Sequence, residues 1–247
     1  MRGKMIKYTS VSDIGLVRKE NQDDLSIIEH EGALLAFICD GIGGSNGGSV
    51  ASSMTVALIS NDFLQQEAFE SLEAIESWFK AALAKTNELV FKASLKNIAY
   101  QGMGTTLIAV VLTLKGSVAF NIGDSRLYHY QKKTLECLSH DQTFAYEMYL
   151  RNEIREDEVD THPKRNILMN AVGIDSKIHF ETIKLDNDWE HLLFCSDGLH
   201  GYVPHDLMQA SFEIEDIIER RNVLLENALG AGGYDNISII LIERNSL

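Results

Sequence analysis

ALLAFICDGIGGSNGGSVASS, residues 33–53, is the stretch on which the reading of this chain turns. Its first seven residues, Ala33 to Cys39, are all apolar and lie between glycines, the pattern of a strand buried on both faces rather than of a helix. Asp40 therefore stands at a strand end, after a run with no polar flank. A carboxylate in such a place is costly to bury unless it is paired or holds an ion, so Asp40 calls for a cation. The glycine-rich turn after it admits three other readings. A dinucleotide fingerprint needs glycine at the sixth place of the run from Gly41, where Asn46 stands, and a phosphate-cradling loop needs lysine where Ser49 follows Gly48. Residues 43–47 do fit the nucleophile-elbow pattern of serine hydrolases, but Ser45 lies five residues beyond Asp40 instead of on the sharp turn after the strand. A serine hydrolase using Ser45 is the second reading. Taken alone, the loop reads as a strand-to-helix turn without chemistry.

The pattern recurs, and the recurrence changes that reading. HLLFCSDGLHG, residues 191–201, repeats the apolar run, the cysteine and the Asp-Gly, and so puts Asp197 where Asp40 stood. NIGDSR, residues 121–126, sets Asp124 between two strand-like segments at 117–122 and 126–131, and GGYDN, residues 232–236, sets Asp235 before an apolar strand at 237–243. Any one of these is a turn residue on its own account, since Asp and Gly favour turns. Four aspartates at the ends of buried strands point to one site. Strands at 6–11 and 24–29 flank SDIGLVRKENQDD, residues 12–24, which brings Arg18 five residues before Asp23. A planar guanidinium is suited to gripping phosphate in a fork.

Around these segments, residues 49–66 and 71–94 carry apolar residues at helical spacing, with Trp78 and Phe79 in the core, and a further helix is expected around 214–229. Residues 105–131 read as a three-stranded meander, and 143–165 as an exposed, charged insert. Strands clustered between helices indicate an α+β architecture with antiparallel sheet. With 45% hydrophobic residues, only Pro163 and Pro204 as prolines and no low-complexity linker, the 247 residues read as one domain, 1–247. Twenty-two Lys and Arg against 36 Asp and Glu, a net charge of −14, weigh against nucleic acid or an anionic membrane as partner. The start has no apolar signal core and no run approaches the roughly 18 apolar residues of a membrane span, so a cytoplasmic protein is expected. Cys39, Cys137 and Cys195 show no CxxC spacing and read as small buried hydrophobes rather than as disulfide or zinc ligands.

Aspartates without metal-type His or Cys make a hard oxygen site, which favours magnesium or manganese. Two such ions about 3.5–4 Å apart, bridged by one carboxylate, activate water and stabilise charge on a displaced phosphoryl group. With Arg18 as a phosphate clamp, the residues indicate metal-assisted hydrolysis of a phosphate ester. A two-metal phosphodiesterase or nuclease is the alternative within that class, and the acidic charge weighs against a nuclease.

Eight blocks now carry a resemblance: residues 12–24, DGIGG (40–44), MGTTL (103–107), NIGDSR (121–126), LSHDQT (138–143), HPKRNILMNAVG (162–173), LLFCSDGL (192–199) and GGYDNISII (232–240). In this order they resemble the metal-dependent protein serine/threonine phosphatases of the protein phosphatase 2C-like (PPM) family, bacterial type. The resemblance implies a four-layer αββα sandwich of two antiparallel sheets flanked by helices. It further implies hydrolysis of phosphoserine and phosphothreonine esters by a hydroxide activated between two divalent cations, Mn2+ or Mg2+, with a weaker third. By resemblance, Asp40 bridges both ions, Asp197 and Asp235 bind the first, the Gly41 carbonyl binds the second, and Asp23 holds metal-bound waters. Asp124 with Asp197 matches the third site, Arg18 the phosphate-binding arginine, and 143–165 the flap over the active site; Thr105, Thr106, Ser125 and Arg126 read as structural support. The partners implied are phosphoproteins made by a serine/threonine kinase, met by a monomer in signal transduction. The chain departs from relatives at Gln22, where many carry Glu, at Ile42, where some carry a proton-donating His, and at Ser45 and Ser49, where bacterial members often have His and Glu.

Overall fold

The apolar run at 33–39 forms the first seven residues of a strand with a packed layer on each side. The structure is a computed structural model that describes residues 6–43, 47–186 and 188–244. Ile6–Asp13 (β1), Asp23–His30 (β2) and Ala33–Ile42 (β3) come first, then the helices Gly47–Phe63 (α1) and Leu72–Lys96 (α2). Five strands follow: Gly104–Thr105 (β4), Leu107–Thr113 (β5), Gly116–Ile122 (β6), Arg126–Gln131 (β7) and Thr134–Cys137 (β8). Phe144–Leu150 (α3), Glu181–Leu185 (β9), His191–Cys195 (β10), Asp197–His200 (α4), His205–Ala210 (α5), Ile217–Gly230 (α6) and Ile237–Arg244 (β11) complete the order.

The strands form two antiparallel sheets, β1-β11-β10-β7-β8 and β2-β3-β5-β6-β9, with β4 beside β3. Alternate residues of β3 enter different cores. Leu34, Ala36 and Ile38 pack between the sheets with Leu192, Phe194, Ile240 and Ile242; Leu35, Phe37 and Cys39 pack outward with Ile59, Phe79 and Leu83 of α1 and α2. Across the molecule Tyr128, Leu193, Cys195 and Ile239 pack outward with Leu199, Met208 and Leu224. Both faces of each central strand are thus apolar, which is why residues 33–39 run without alternation. The α+β sandwich expected from the resemblance is the fold found.

Helix α2 starts where the Ser71 side chain accepts from the Ala74 amide at 3.2 Å, and stops at Asn97, whose backbone is extended. Its buried stripe includes Ile75, Phe79, Leu83 and Val90, and the Phe79 ring stacks on Phe120 at 3.8 Å and 3°. Phe79→Ala is expected to cost about 3–5 kcal/mol, seen as a lowered urea midpoint.

The segment read as one meander divides between the sheets. β5 pairs with β6, but β7 pairs with β10 in the opposite sheet. Gly123, at φ +95°, makes the crossover, and a β-carbon there would come within 2.6 Å of the Thr106 methyl. Asp124 therefore sits where the chain passes from one sheet to the other, not in a hairpin. Alternation could not show this, because β7 carries buried residues on both faces, Leu127 on one and Tyr128 and Tyr130 on the other, and so suits either sheet. Cys137 differs too: it is exposed on β8, at the edge of its sheet, whereas Cys39 and Cys195 are buried. In the charged segment from 143, α3 is followed by a single 3-10 turn at Glu156–Glu158. Its base is tied by Phe144 N–H to the Ile167 carbonyl and Met169 N–H to the Gln142 carbonyl, both at 2.8 Å. Among the described residues no helix is long and apolar enough to cross a membrane.

Candidate active site

β2 and β3 are in register so that Asp23 stands opposite Asp40. The Asp40 backbone is fixed by two threonines: its N–H donates to Thr106 Oγ1 at 3.0 Å, and its carbonyl accepts from Thr106 N–H at 2.8 Å and Thr105 Oγ1 at 2.9 Å. Thr106 Oγ1 in turn lies 2.7 Å from Ser125 Oγ, beside Asp124. Arg126 is held by Asp141, at 2.9 and 2.8 Å. Thr105 and Thr106 thus hold the Asp40 backbone, with Ser125 behind Thr106 and Arg126 paired to Asp141.

The two Asp-Gly pairs share a steric cause. A β-carbon on Gly41 would lie 2.3 Å from the Gly48 carbonyl oxygen, and one on Gly198 would lie 1.9 Å from that of Asn236. In both, glycine lets a second backbone pass directly behind the aspartate.

Arg18, Asp40, Gly41, Asp124, Asp197 and Asp235 line one cavity of about 250 Å³, together with Gln22, Ile42, Asn166 and Leu168. Asp23 is not on that wall; it is buried behind it. A second chamber of about 570 Å³ shares Asp124, Asn166 and Asp197 with the first and extends past Tyr202 and Met208. Ser45, the serine of the second reading, lies outside the described residues.

The carboxylates are unevenly satisfied. Arg18 Nη2 donates to Asp235 Oδ2 at 2.7 Å, and among the described residues it is the one basic side chain on the 250 Å³ cavity. Ser196 Oγ donates to Asp23 Oδ2 at 2.7 Å, while buried Asp23 Oδ1 has no hydrogen-bond partner. Burial raises the Asp23 carboxyl to about 6, with Asp235 adding repulsion. Burial first, then Asp235 and Asp23, raises Asp197 to about 7. Asp40 is pushed well above the carboxylate range by burial and then by Asp23, Asp197 and Asp124; Asp124 follows by burial and then by Asp197 and Asp141. Like charges this close favour either protons or a shared cation. Among the described residues, no three His, Cys, Asp or Glu side chains are arranged as they stand to hold an ion; Asp235 is turned onto Arg18 and Asp23 onto Ser196. The donor set nonetheless fits a divalent cation, because it is all oxygen, is short of positive charge and has an orphaned carboxylate oxygen, Asp23 Oδ1, buried behind its wall.

Some residues of the site were not singled out from the sequence. Asn166 and Leu168 reach the cavity from the 162–173 block, whose spacing gives no hint of it. Asn236 reads as a mere neighbour of Asp235, yet its Oδ1 accepts from Gln22 N–H at 2.8 Å and its Nδ2 donates to the Ile14 and Glu20 carbonyls, both at 3.0 Å. It straps both ends of the loop that carries Arg18. Asn236→Ala removes three part-buried hydrogen bonds that hold the loop, so a stability loss of about 1–3 kcal/mol is expected in urea unfolding, together with a raised KM for phosphate esters.

Comparison with known proteins agrees with this geometry. Residues 17–227 match the family model for Protein phosphatase 2C. The serine/threonine phosphatase stp of Listeria welshimeri is 33% identical over 243 residues, covering 95% of this chain and 94% of that protein. Among solved structures, Stp1 of Staphylococcus aureus superposes with a TM-score of 0.91 at 29% identity, covering 99% of this chain and 97% of the other. The phosphatase MsPP of Mycobacterium smegmatis, in complex with cacodylate, gives 0.82 at 29% identity over 96% and 97%.

Proposed function

The chain belongs to the protein phosphatase 2C family and is a serine/threonine phosphatase of phosphoproteins, and we propose that Asp40, Asp197 and Asp235 hold its metal ions while Arg18 receives the phosphate. Metal dependence is general in this family. In our reading Asp40 would be held in common by two ions, Asp197 and Asp235 would hold one and the Gly41 carbonyl the other. Asp23, behind Asp40, would accept from water in the site, and Asp124 with Asp197 would make a weaker third site with fewer carboxylates. Oxygen donors alone favour Mn2+ or Mg2+. Bound there, such ions supply Lewis-acid stabilisation of the phosphoryl oxygens and a water of lowered pKa.

The chain's own groups do the rest. Arg18 exchanges its Asp235 partner for the phosphate, two charged donors on a flexible stem presented at the cavity wall. Thr105 and Thr106 keep Asp40 fixed, while Ile42 and Leu168 give the wall an apolar edge that limits water. No histidine lines this cavity among the described residues. His200, in the adjoining chamber, has its Nε2 2.9 Å from the Asp124 carbonyl oxygen and is kept neutral by burial. In our reading a water of the site supplies the proton to the departing serine or threonine oxygen. We read residues 143–165 as a flap beside this site within a single catalytic domain. We also read the substrates as products of a serine/threonine kinase and the enzyme as a cytoplasmic monomer; the −14 charge supports a partner other than nucleic acid or an anionic membrane.

The observation that carries this reading is the gathering of Asp40, Asp124, Asp197, Asp235 and Arg18 on one small cavity at the ends of both sheets. Turnover of p-nitrophenyl phosphate and a phosphothreonine peptide with manganese, magnesium or EDTA tests it: full activity in EDTA after metal stripping would sink it. Arg18→Ala is expected to raise KM about 10- to 100-fold, the value of one or two charge-assisted hydrogen bonds, with bound metal retained in calorimetry.

A further inference from the structure

Beside Arg18 the molecule carries an apolar ledge built by two loops. Residues 14–17 lie on residues 232–235, and the contact is fixed through the backbone. Leu16 N–H donates to the Gly233 carbonyl at 2.7 Å, Asn236 Nδ2 to the Ile14 carbonyl at 3.0 Å, and Gly15 N–H to Asp13 Oδ1 at 2.8 Å. Gly15 has φ +77°, and a β-carbon on it would come 2.2 Å from the Asp235 carbonyl oxygen. The loops can neither open nor turn their side chains inward without breaking these bonds.

Those side chains face water. Leu16 is 68% exposed, Val17 58%, Tyr234 54% and Ile14 39%. Tyr234 also meets Tyr202, with ring centroids 5.5 Å apart, so the ledge runs from Arg18 toward the larger chamber that Tyr202 lines. Single exposed apolar residues are ordinary. Four of them on two loops pinned together through the backbone, at the lip of an active site, mark a contact surface. The site itself indicates what covers it. A cavity of about 250 Å³ admits a phosphorylated side chain but not a polypeptide, so the rest of a phosphoprotein segment must continue over the lip. The ledge begins at Val17, directly beside Arg18 in the chain. An extended segment advances about 3.3 Å per residue, so the positions one to three from the phosphoresidue are those that reach it.

We propose that Ile14, Leu16, Val17 and Tyr234 form a docking ledge for an apolar or aromatic side chain flanking the phosphorylated residue of a protein substrate. The proposal rests on the phosphatase reading above and deepens it by naming a sequence preference. Matched phosphothreonine peptides, with Leu and Phe or with Ser and Glu at the three positions on either side, test it on the wild-type enzyme with manganese. Apolar flanks are expected to raise kcat/KM about tenfold, through KM, the effect of partly burying one such side chain. The double variant L16S/V17S should erase that preference and leave p-nitrophenyl phosphate turnover unchanged. Equal kcat/KM for both peptides in the wild type, a preference that survives in the variant, or an equal loss on p-nitrophenyl phosphate would each overturn the ledge. Absence of manganese-dependent turnover on every ester would instead overturn the phosphatase reading beneath it.

Discussion

Asp40→Asn is expected to lower phosphatase turnover by at least about 10³-fold, the scale seen when one charge-stabilising group of a preorganised site is lost, and at the same time to make the metal-free protein harder to unfold. The first effect follows from place. Asp40 is the carboxylate whose backbone is fixed by Thr105 and Thr106, and in our reading both ions share it. The second follows from the repulsion around it. Asp40 is raised well above the carboxylate range by burial and by Asp23, Asp197 and Asp124, so in the ionised form it opposes folding. For a group raised on folding, stability is fully present below the unfolded value and is lost as pH rises through the folded one. Asp23 at about 6 and Asp197 at about 7, both from 3.8, put that loss between pH 4 and about pH 7. Metal-free wild type should therefore melt at lower temperature at pH 8 than at pH 5.5, and Asp40→Asn should flatten that slope. A gain of about 1 kcal/mol at pH 8 corresponds to roughly 2–4 °C for a chain of this size. Near wild-type turnover in the variant would displace Asp40 from the centre of the mechanism; an unchanged melting slope would remove the repulsion argument.

Chelation is the second large effect. Dialysis against EDTA should abolish turnover of both p-nitrophenyl phosphate and phosphopeptide, and manganese or magnesium should restore it. The companion readout is thermal. A cation that binds only the folded protein stabilises it by about 2.7 kcal/mol at a hundred times its Kd, which is roughly 5–10 °C here. Because the ions displace protons from Asp23, Asp40 and Asp197, the rise should be larger at pH 8 than at pH 5.5. Zinc-selective or absent binding in calorimetry would contradict the oxygen-only donor set, whatever the activity.

Much of this was open in the sequence by itself. The run 33–39 declared a strand buried on both faces, the spacing in residues 71–94 gave α2, and the repeated Asp-Gly placed Asp40 and Asp197 at corresponding strand ends. Those are local properties, set by periodicity and by where burial forces a charge to find a partner. Other features depend on contacts that no window contains. Arg18 and Asp235 are 217 residues apart yet meet at 2.7 Å. Which sheet β7 joins was decided by the turn at Gly123, since a strand with Leu127 buried on one face and Tyr128 and Tyr130 on the other suits either sheet. The glycines after Asp40 and Asp197 are required by the backbones of Gly48 and Asn236 crossing behind them. Asn236 as a strap, Leu168 on the cavity wall and the exposed ledge at Leu16 and Val17 likewise arise only when the sandwich closes. Patterning determined which residues must be buried and which aspartates stand at the ends of buried strands; packing of the two sheets decided which of them share a cavity.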